Sequence, residues 1–309
     1  MADIEFYTVH DISQEEADSY EQLGTKSKFW YFESNTNKSI LFKSIRTKEG
    51  DRFGEDWAEK IACELAERIG LPHANYELAT YYNERGVISP NFITEKGQQL
   101  LAGNLLLQDY LEVRDKNPNI QYIDHVHSVM TDMIKLKPIN FKSYTNIRSA
   151  SEFFVGYLMF DALISNQDRH NENWGMVTST GGSHLAPSYD HGASLARNES
   201  DNERAERLET KDKGRQISQY VKRALSQFHS PTNDKRIKLL DAFLAYGLKE
   251  KDAALAWLNH LEVNVTDDVI VSIIEKVPQE LMSKIAKEFT VKLVLCNRTN
   301  LLGLRNEFL

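Results

Sequence analysis

Asp168, Asn173 and Asp190 offer two carboxylates and a carboxamide within one short stretch of the chain. Asp168 and Asn173 stand five residues apart in the polar run Asn166-Gln167-Asp168-Arg169-His170-Asn171-Glu172-Asn173. That run interrupts an apolar pattern and reads as a loop. Gly181-Gly182 is a hairpin signal between a strand over residues 174–177 and a returning strand over 185–189. The hairpin delivers Asp190, at the head of Asp190-His191-Gly192, back beside the loop. Phosphoryl transfer from a nucleotide needs this set of groups. One carboxylate orients an acceptor hydroxyl and takes its proton. One or two further oxygens hold a magnesium ion that also binds the phosphates.

Protein kinases meet the need with a loop aspartate, an asparagine five residues on, and a second aspartate after a hairpin. Asp168 is therefore expected as the base, and Asn173 and Asp190 as magnesium ligands. The plainer reading of Asp-x-His-x-x-Asn alone is an Asx-rich surface turn. The hairpin and Asp190-His191-Gly192 weigh against it. Arg169 is expected to orient the loop. His170 either stabilises charge on the transferring phosphoryl or pins the loop by a hydrogen bond, and the second role is preferred.

These groups need elements to hold them. The run over residues 153–164 is almost wholly apolar and long enough for a buried helix leading into the loop. Upstream, Gly24-Thr25-Lys26-Ser27-Lys28 precedes the strand formers Phe29-Trp30-Tyr31-Phe32, so backbone N–H groups of the loop are placed to cover phosphates. It is not a Walker loop, which needs two glycines and a Lys-Ser/Thr before a helix. A turn over 34–38 leads to the paired strand Ser39-Ile40-Leu41-Phe42-Lys43. Lys43 is the candidate for the phosphate-contacting strand lysine, since Lys38 lies in the turn and Lys48 beyond the strand. Residues 57–69 read as a helix with one apolar face, stopped by Gly70 and Pro72. Glu59 and Glu64 border that face on opposite edges, and periodicity does not choose which braces Lys43. Residues 76–82 and 86–94 read as two more strands, placing Ile93-Thr94-Glu95 where a hinge would pair its backbone with adenine.

Asp168-Arg169-His170-Asn171-Glu172-Asn173 resembles the Asp-Arg-His-x-x-Asn loop of phosphoinositide kinases. Together with Leu185-Ala186-Pro187-Ser188-Tyr189-Asp190 it resembles more closely the HipA-like and CtkA-like serine/threonine kinases. The resemblance is tight over 153–195 and looser over 24–71. It implies a two-lobed α+β protein-kinase-like fold, with a small antiparallel-sheet N-terminal lobe and a larger, mainly helical C-terminal lobe. It also implies ATP and Mg2+ as cofactors and transfer to a Ser/Thr hydroxyl of a protein. Self-phosphorylation in or near the phosphate loop, at Thr25 or Ser27, and an inhibitor (antitoxin-like) protein as partner are further implications. The frame Ala58-Glu59 with Ile69-Gly70-Leu71 matches the family's helix and selects Glu59, with Glu64 in reserve. A lipid kinase and a nucleotide-binding pseudokinase are the rival readings.

The chain has 309 residues, 41% hydrophobic and 27% charged, enough for two lobes around a cleft. A formal net charge of -8 argues against nucleic acid or an anionic membrane as the main partner. Cys63 and Cys296 make no disulfide framework. No apolar run reaches the roughly 20 residues of a membrane span, and residues 1–11 lack a basic-then-apolar leader, so a cytoplasmic location is expected, with a secreted effector the alternative. The composition turns helical near Gly97, dividing an ATP-binding lobe (1–97) from a catalytic lobe (98–309). Residues 11–22 are expected as acidic helix, 100–113, 125–136, 217–228 and 236–246 as helices, and 196–215 as a charged solvated loop in the place of a substrate loop. Further helical patterns cover 252–261, 266–275 and 279–295.

Overall fold

The computed structural model describes residues 4–20, 26–47, 49–112 and 120–309. Aromatic and β-branched residues favour the pleated backbone, and they gather in the two longest strands. The N-terminal sheet comprises β1 (Val9–Asp11), β2 (Ser19–Tyr20), β3 (Lys26–Glu33), β4 (Lys38–Thr47), β5 (Gly50–Asp51), β6 (Glu77–Tyr81) and β7 (Glu84–Pro90). Their order is β1-β6-β7-β4-β3-β2, with β5 on β4. The pairings are antiparallel except that of β1, which runs parallel to β6.

Register decides what this sheet presents on each side. Phe29 lies opposite Phe42, and Lys28 opposite Lys43. Adjacent positions point to opposite faces. Phe29, Tyr31, Ile40 and Phe42 therefore build one apolar face, closed by Ile12 and Ala79. Lys43 points to the other face, against α1 (Glu55–Ile69). Left-handed glycines bracket α1: Gly54 at φ 90° and Gly70 at φ 78°, whose N–H donates to the Ala66 and Glu67 carbonyls. Both positions suit a residue without a Cβ.

The remainder is mainly helical. It comprises β8 (Gln99–Ala102), α2 (Gly103–Glu112), α3 (Ile123–Ser128) and α4 (Ala150–Ile164), then β9 (Gly175–Ser179) and β10 (Gly182–Leu185). After these come α5 (Asp201–Glu209), α6 (Ile217–Arg223), β11 (Leu225–His229), β12 (Arg236–Lys238), α7 (Leu239–Gly247), α8 (Lys251–Asn264), α9 (Asp267–Glu275) and α10 (Lys284–Gly303). A π-helical stretch, Val129–Ile134, continues α3, and a 3-10 turn, Arg305–Glu307, follows α10. α4 is the axis of this part. It is apolar all round, as a fully enclosed helix must be. Ser149 and Glu152 form a capping box at its start, and α7, α8 and α10 pack around it.

Several expectations differ from the structure. Residues 11–20 hold the end of β1, turns and the short β2 rather than helix, and 21–22 lie outside the described residues. β8 occupies the start of the expected helix at 100–113 because β9 offers it a free edge. The patterns over 217–228 and 236–246 each combine a helix with a strand, β11 and β12 pairing across their turn. β10 ends at Leu185, so an irregular segment rather than a strand carries Asp190. Residues 196–215 contain α5, started by a Ser200–Glu203 capping box.

Gly156 lets α8 approach α4 closely. A Cβ there would lie 2.5 Å from Cε2 of Trp257, a fully buried ring on α8. Gly156→Val should lower the stability of the chain by about 1–3 kcal/mol, read as a lower urea midpoint at unchanged m-value. An unchanged midpoint would show that the α4–α8 contact is looser than described.

Candidate active site

Lys43 sits on β4 with 6% of its surface exposed. Its ammonium donates to Glu59 Oε1 at 2.7 Å and to Asp190 Oδ1 at 2.5 Å. A buried charge needs such partners to offset its lost hydration. Burial alone pulls the lysine pKa down, but the Asp190 and Glu59 carboxylates outweigh it and hold the pKa well above the usual value. Lys43 thus stays cationic. The second oxygen of Glu59 accepts the His191 N–H at 2.8 Å. Glu64, on the other edge of α1, pairs with Lys60 at 2.7 Å. Gly192 passes close to this cluster: a Cβ on it would approach Glu59 Oε1 to 3.2 Å and Glu55 Cβ to 3.5 Å.

Asp190 has a left-handed backbone, φ 58°, a conformation that Asp tolerates better than most residues. Its N–H donates to the Tyr76 hydroxyl at 3.2 Å. Burial, then the nearby Glu59 carboxylate, keep that phenol protonated. The segment before Asp190 is tied to the end of α1 by backbone: Ser188 N–H to Pro72 O and Ala74 N–H to Ser188 O, each 2.9 Å. Tyr189 stacks on Phe92 and donates to Glu172 O at 2.8 Å.

The loop after α4 is organised by Arg169. Its guanidinium donates to both oxygens of Asp161, at 2.8 and 2.7 Å, to Asn173 O at 2.9 Å and to Ser188 Oγ at 2.9 Å. Asp161 and Arg169 are both buried. Burial lowers the guanidinium pKa, and the Asp161 carboxylate more than restores it. Asn166 also donates to Asp161 and accepts the Asp168 N–H. The Asn173 carboxamide N–H donates to Asp168 O at 2.7 Å, which turns its oxygen away from the loop backbone. From outside, Gln167 accepts from Leu225 N–H at 3.1 Å, Gln227 Nε2 at 2.9 Å and Arg236 Nη2 at 3.1 Å. Hence α4, the Asp161–Arg169 pair and the β11–β12 hairpin together fix the backbone that carries Asp168.

Lys43, Glu59 and Asp190 therefore meet in direct bonds, and Asp168 and Asn173 meet across their loop. His170 is half-exposed; its Nδ1 accepts the Glu172 N–H at 3.2 Å, and its Nε2 lies 3.9 Å from Asp168 Oδ1. Lys28 shares the Lys43 face of the sheet, while Ser27 is exposed. Gly24 and Thr25 lie outside the described residues, as does the side chain of Lys26. In the expected hinge, the Ile93 N–H donates to Asn91 Oδ1, and the Thr94 and Glu95 N–H groups both donate to Gln98 Oε1. An adenine taking either of the last two amides would have to displace the Gln98 side chain.

Magnesium shared with phosphates asks for only one or two protein oxygens. Asn173 and Asp190 would supply that number. Asp190 is a third exposed, and the Asn173 carboxamide oxygen accepts no hydrogen bond among the described residues. The donor set fits the ion.

Asp161 and His191 escaped the sequence reading. Asp161 is the lone acid in the apolar run over 153–164, a position that calls for a buried cation. His191 is fully buried, its Nε2 accepting from Ser188 Oγ at 2.7 Å, with Arg169 Nη2 at 3.4 Å. Burial, then the Arg169 charge, push its pKa well below the ordinary value.

The comparisons with known proteins agree with this architecture. The chain belongs to the HipA-like C-terminal domain family, whose sequence model matches residues 18–280. The serine/threonine-protein kinase CtkA of Helicobacter pylori is 26% identical over 241 residues, covering 75% of this chain and 66% of that protein's own length, just under two thirds. The crystal structure of the H. pylori proinflammatory kinase CtkA superposes with a TM-score of 0.78 at 21% identity, covering 97% of this chain and 99% of that one. A chain of the Shewanella oneidensis toxin–antitoxin complex of HipA, HipB and operator DNA gives a TM-score of 0.56 at 12% identity, over 96% of this chain and 68% of that one. The fold is the two-lobed, kinase-like α+β fold.

His191 yields a pH test. It is neutral in the folded chain, whereas an unfolded histidine gains a proton as pH falls below about 6.5. Its contribution is therefore complete above that pH and is lost progressively below it. The stability advantage of wild type over His191→Asn should shrink by about 1 kcal/mol per pH unit between pH 6 and 5, measured by urea unfolding. A difference independent of pH would mean that His191 titrates alike in the folded and unfolded chain, and an advantage that grows as pH falls would mean that it is charged in the fold.

Proposed function

We propose that this chain is an ATP- and magnesium-dependent kinase that phosphorylates Ser or Thr hydroxyls of a protein, itself included. The observation that carries the reading is the Lys43 ammonium held between Glu59 and Asp190. It joins a strand, a helix and the segment after the hairpin at one charged point. The name of the CtkA relative and membership of the HipA-like family support the same reading.

Each residue has a defined task in it. Asp168 orients the acceptor hydroxyl and takes its proton as the oxygen bonds to the γ-phosphorus. The bond to the β–γ bridging oxygen breaks and ADP leaves with that electron pair. Lys43, braced by Glu59, contacts the phosphates, with Lys28 on the same face. The loop expected to cover them runs from Gly24 to Lys28, of which Gly24 and Thr25 lie outside the described residues and Ser27 is exposed. Asn173 and Asp190 hold magnesium, which when bound neutralises charge on the phosphates. His170 pins the loop through its bond to Glu172, and Glu95 lies at the adenine end. Catalysis of this type rests on positioning and electrostatics, and a loop backbone bonded at Gln167, Asp168, Arg169 and Asn173 suits it. In this reading the ATP-binding lobe ends near residue 97. Among the described residues no helix is long and apolar enough to cross a membrane. A cytoplasmic site of action and an inhibitor protein, by analogy with the HipB in the HipA complex, are part of the proposal.

The test is incubation with labelled ATP and magnesium, followed by mapping of the modified residues. Asp168→Ala and Asp190→Ala should each cut phosphoryl transfer by about a thousandfold or more; the thermal midpoint should stay near that of wild type in Asp168→Ala and fall in Asp190→Ala, which takes from buried Lys43 one of its two carboxylates. Transfer at the wild-type rate by either variant would refute the assignment. Transfer to phosphoinositide vesicles but to no protein would favour a lipid kinase.

A further inference from the structure

The basic side chains of the segment after Asp190 are mostly matched to acids. Arg197 pairs with Glu55, Arg204 with Asp201, Arg207 with Glu199 and Arg215 with Glu206. The next stretch is different. Residues 222–238 carry Lys222, Arg223, Lys235, Arg236 and Lys238 against one acid, Asp234. That acid accepts the Tyr122 hydroxyl at 2.5 Å. Lys222, Arg223, Lys235 and Lys238 are exposed, and none has an acidic partner among the described residues. Arg236 is taken up by the carbonyls of Gln167, Leu225 and Ser226. On a chain of net charge -8, this is a local reversal of sign, and a patch of unbalanced charge recruits the opposite sign.

The patch adjoins the catalytic loop. The β11–β12 hairpin bonds to Gln167, the residue next to Asp168. In front of it opens a cavity of about 180 Å³ lined by Gln167, Arg207, Gly214, Tyr220, Arg223 and Ala224. That is below the roughly 300 Å³ of the smallest usual ligand pockets, and it suits a single side chain. The Arg207 guanidinium lies 4.9 Å from the centre of the Tyr220 ring and donates Nε to Glu199 at 2.7 Å. It is pre-positioned, and Arg223 lines the same cavity.

We propose that the acceptor is an acidic stretch of polypeptide, whose Ser or Thr hydroxyl reaches Asp168 while a neighbouring carboxylate or phosphoserine side chain enters the cavity between Arg207 and Arg223. This rests on the kinase reading above and specifies its substrate. A lipid headgroup is the other anionic acceptor, but a membrane-docking face pairs cations with apolar side chains that enter the interface. Within residues 222–238 only Leu225 is a large exposed apolar side chain, at 37%.

The experiment uses three peptides with one serine flanked by Glu, Ala or Lys, given with MgATP to wild type and to Arg223→Glu. For wild type, kcat/KM for the Glu peptide should exceed that for the Ala peptide by about tenfold, the scale of one charge-assisted hydrogen bond. Arg223→Glu should abolish that preference and raise the Lys peptide above the Glu peptide. Equal or better use of the Ala or Lys peptide by wild type overturns the inference and leaves the kinase reading standing. So does an unchanged preference in Arg223→Glu, whereas preferential phosphorylation of phosphoinositide vesicles overturns both the inference and the protein acceptor of the kinase reading. A second readout is independent of transfer. The Glu peptide with its serine replaced by alanine should bind wild type about tenfold more tightly than the neutral one by fluorescence anisotropy, and Arg223→Glu should lose the difference. If no acceptor is ever phosphorylated, Arg223-dependent binding of this peptide still supports the acidic subsite and the kinase reading alone falls. Absence of that binding overturns the subsite.

Discussion

A lysine ammonium cannot be taken out of water without carboxylates placed to receive it. Lys43 is buried on a strand, and its two carboxylates come from a helix and from a segment more than a hundred residues later. That requirement sets the relative positions of β4, α1 and Asp190. Other contacts reinforce the same arrangement. Glu59 receives the His191 N–H with its second oxygen. Gly192 lets the chain pass the carboxylate closely. The Ser188 backbone pairs with residues just beyond α1. The charged centre is thus also the joint between the sheet and the helical part of the molecule.

A second buried pair performs the corresponding task one layer deeper. Asp161 and Arg169 are enclosed at the end of α4, and their bonds extend to Asn166, Asn173 and Ser188. A guanidinium serves here because its fixed fork meets a carboxylate through two bonds and still has donors for a carbonyl and a hydroxyl. His191 completes the network as a neutral ring: its Nε2 faces a donor that cannot give up its charge, so the ring stays unprotonated. Rigidity at this level permits Asp168 to stay partly exposed, where an acceptor can reach it, on a backbone that does not yield.

Local signals carried much of this architecture and non-local ones carried the rest. β3, β4 and α1 were legible because alternating aromatics and a single apolar helix face are period signals, and Gly70 stops the helix where expected. The oxygen-bearing set in the loop was legible from spacing, and the family frame separated Glu59 from Glu64 where periodicity did not. β8 hides in a helical pattern because what makes it a strand is β9, far away in sequence; β11 and β12 pair with each other across the turn between them, and the helical periodicity of their flanks, α6 and α7, masks that local hairpin. Asp161 was open to recognition, since an acid in an otherwise apolar helix implies a buried cation. α5 had its signal in the Ser200–Glu203 box, obscured by the density of charge around it.

In the proposed function Lys43, Asn173 and Asp190 form the phosphate and metal end of a nucleotide site. Calorimetric titration of ATP, with magnesium and with chelator, into wild type and Asp190→Asn addresses it without reference to any acceptor. Binding to wild type is expected to depend on magnesium and to weaken about tenfold or more in Asp190→Asn. ATP binding that is indifferent to magnesium, or equally tight in the variant, would contradict that assignment.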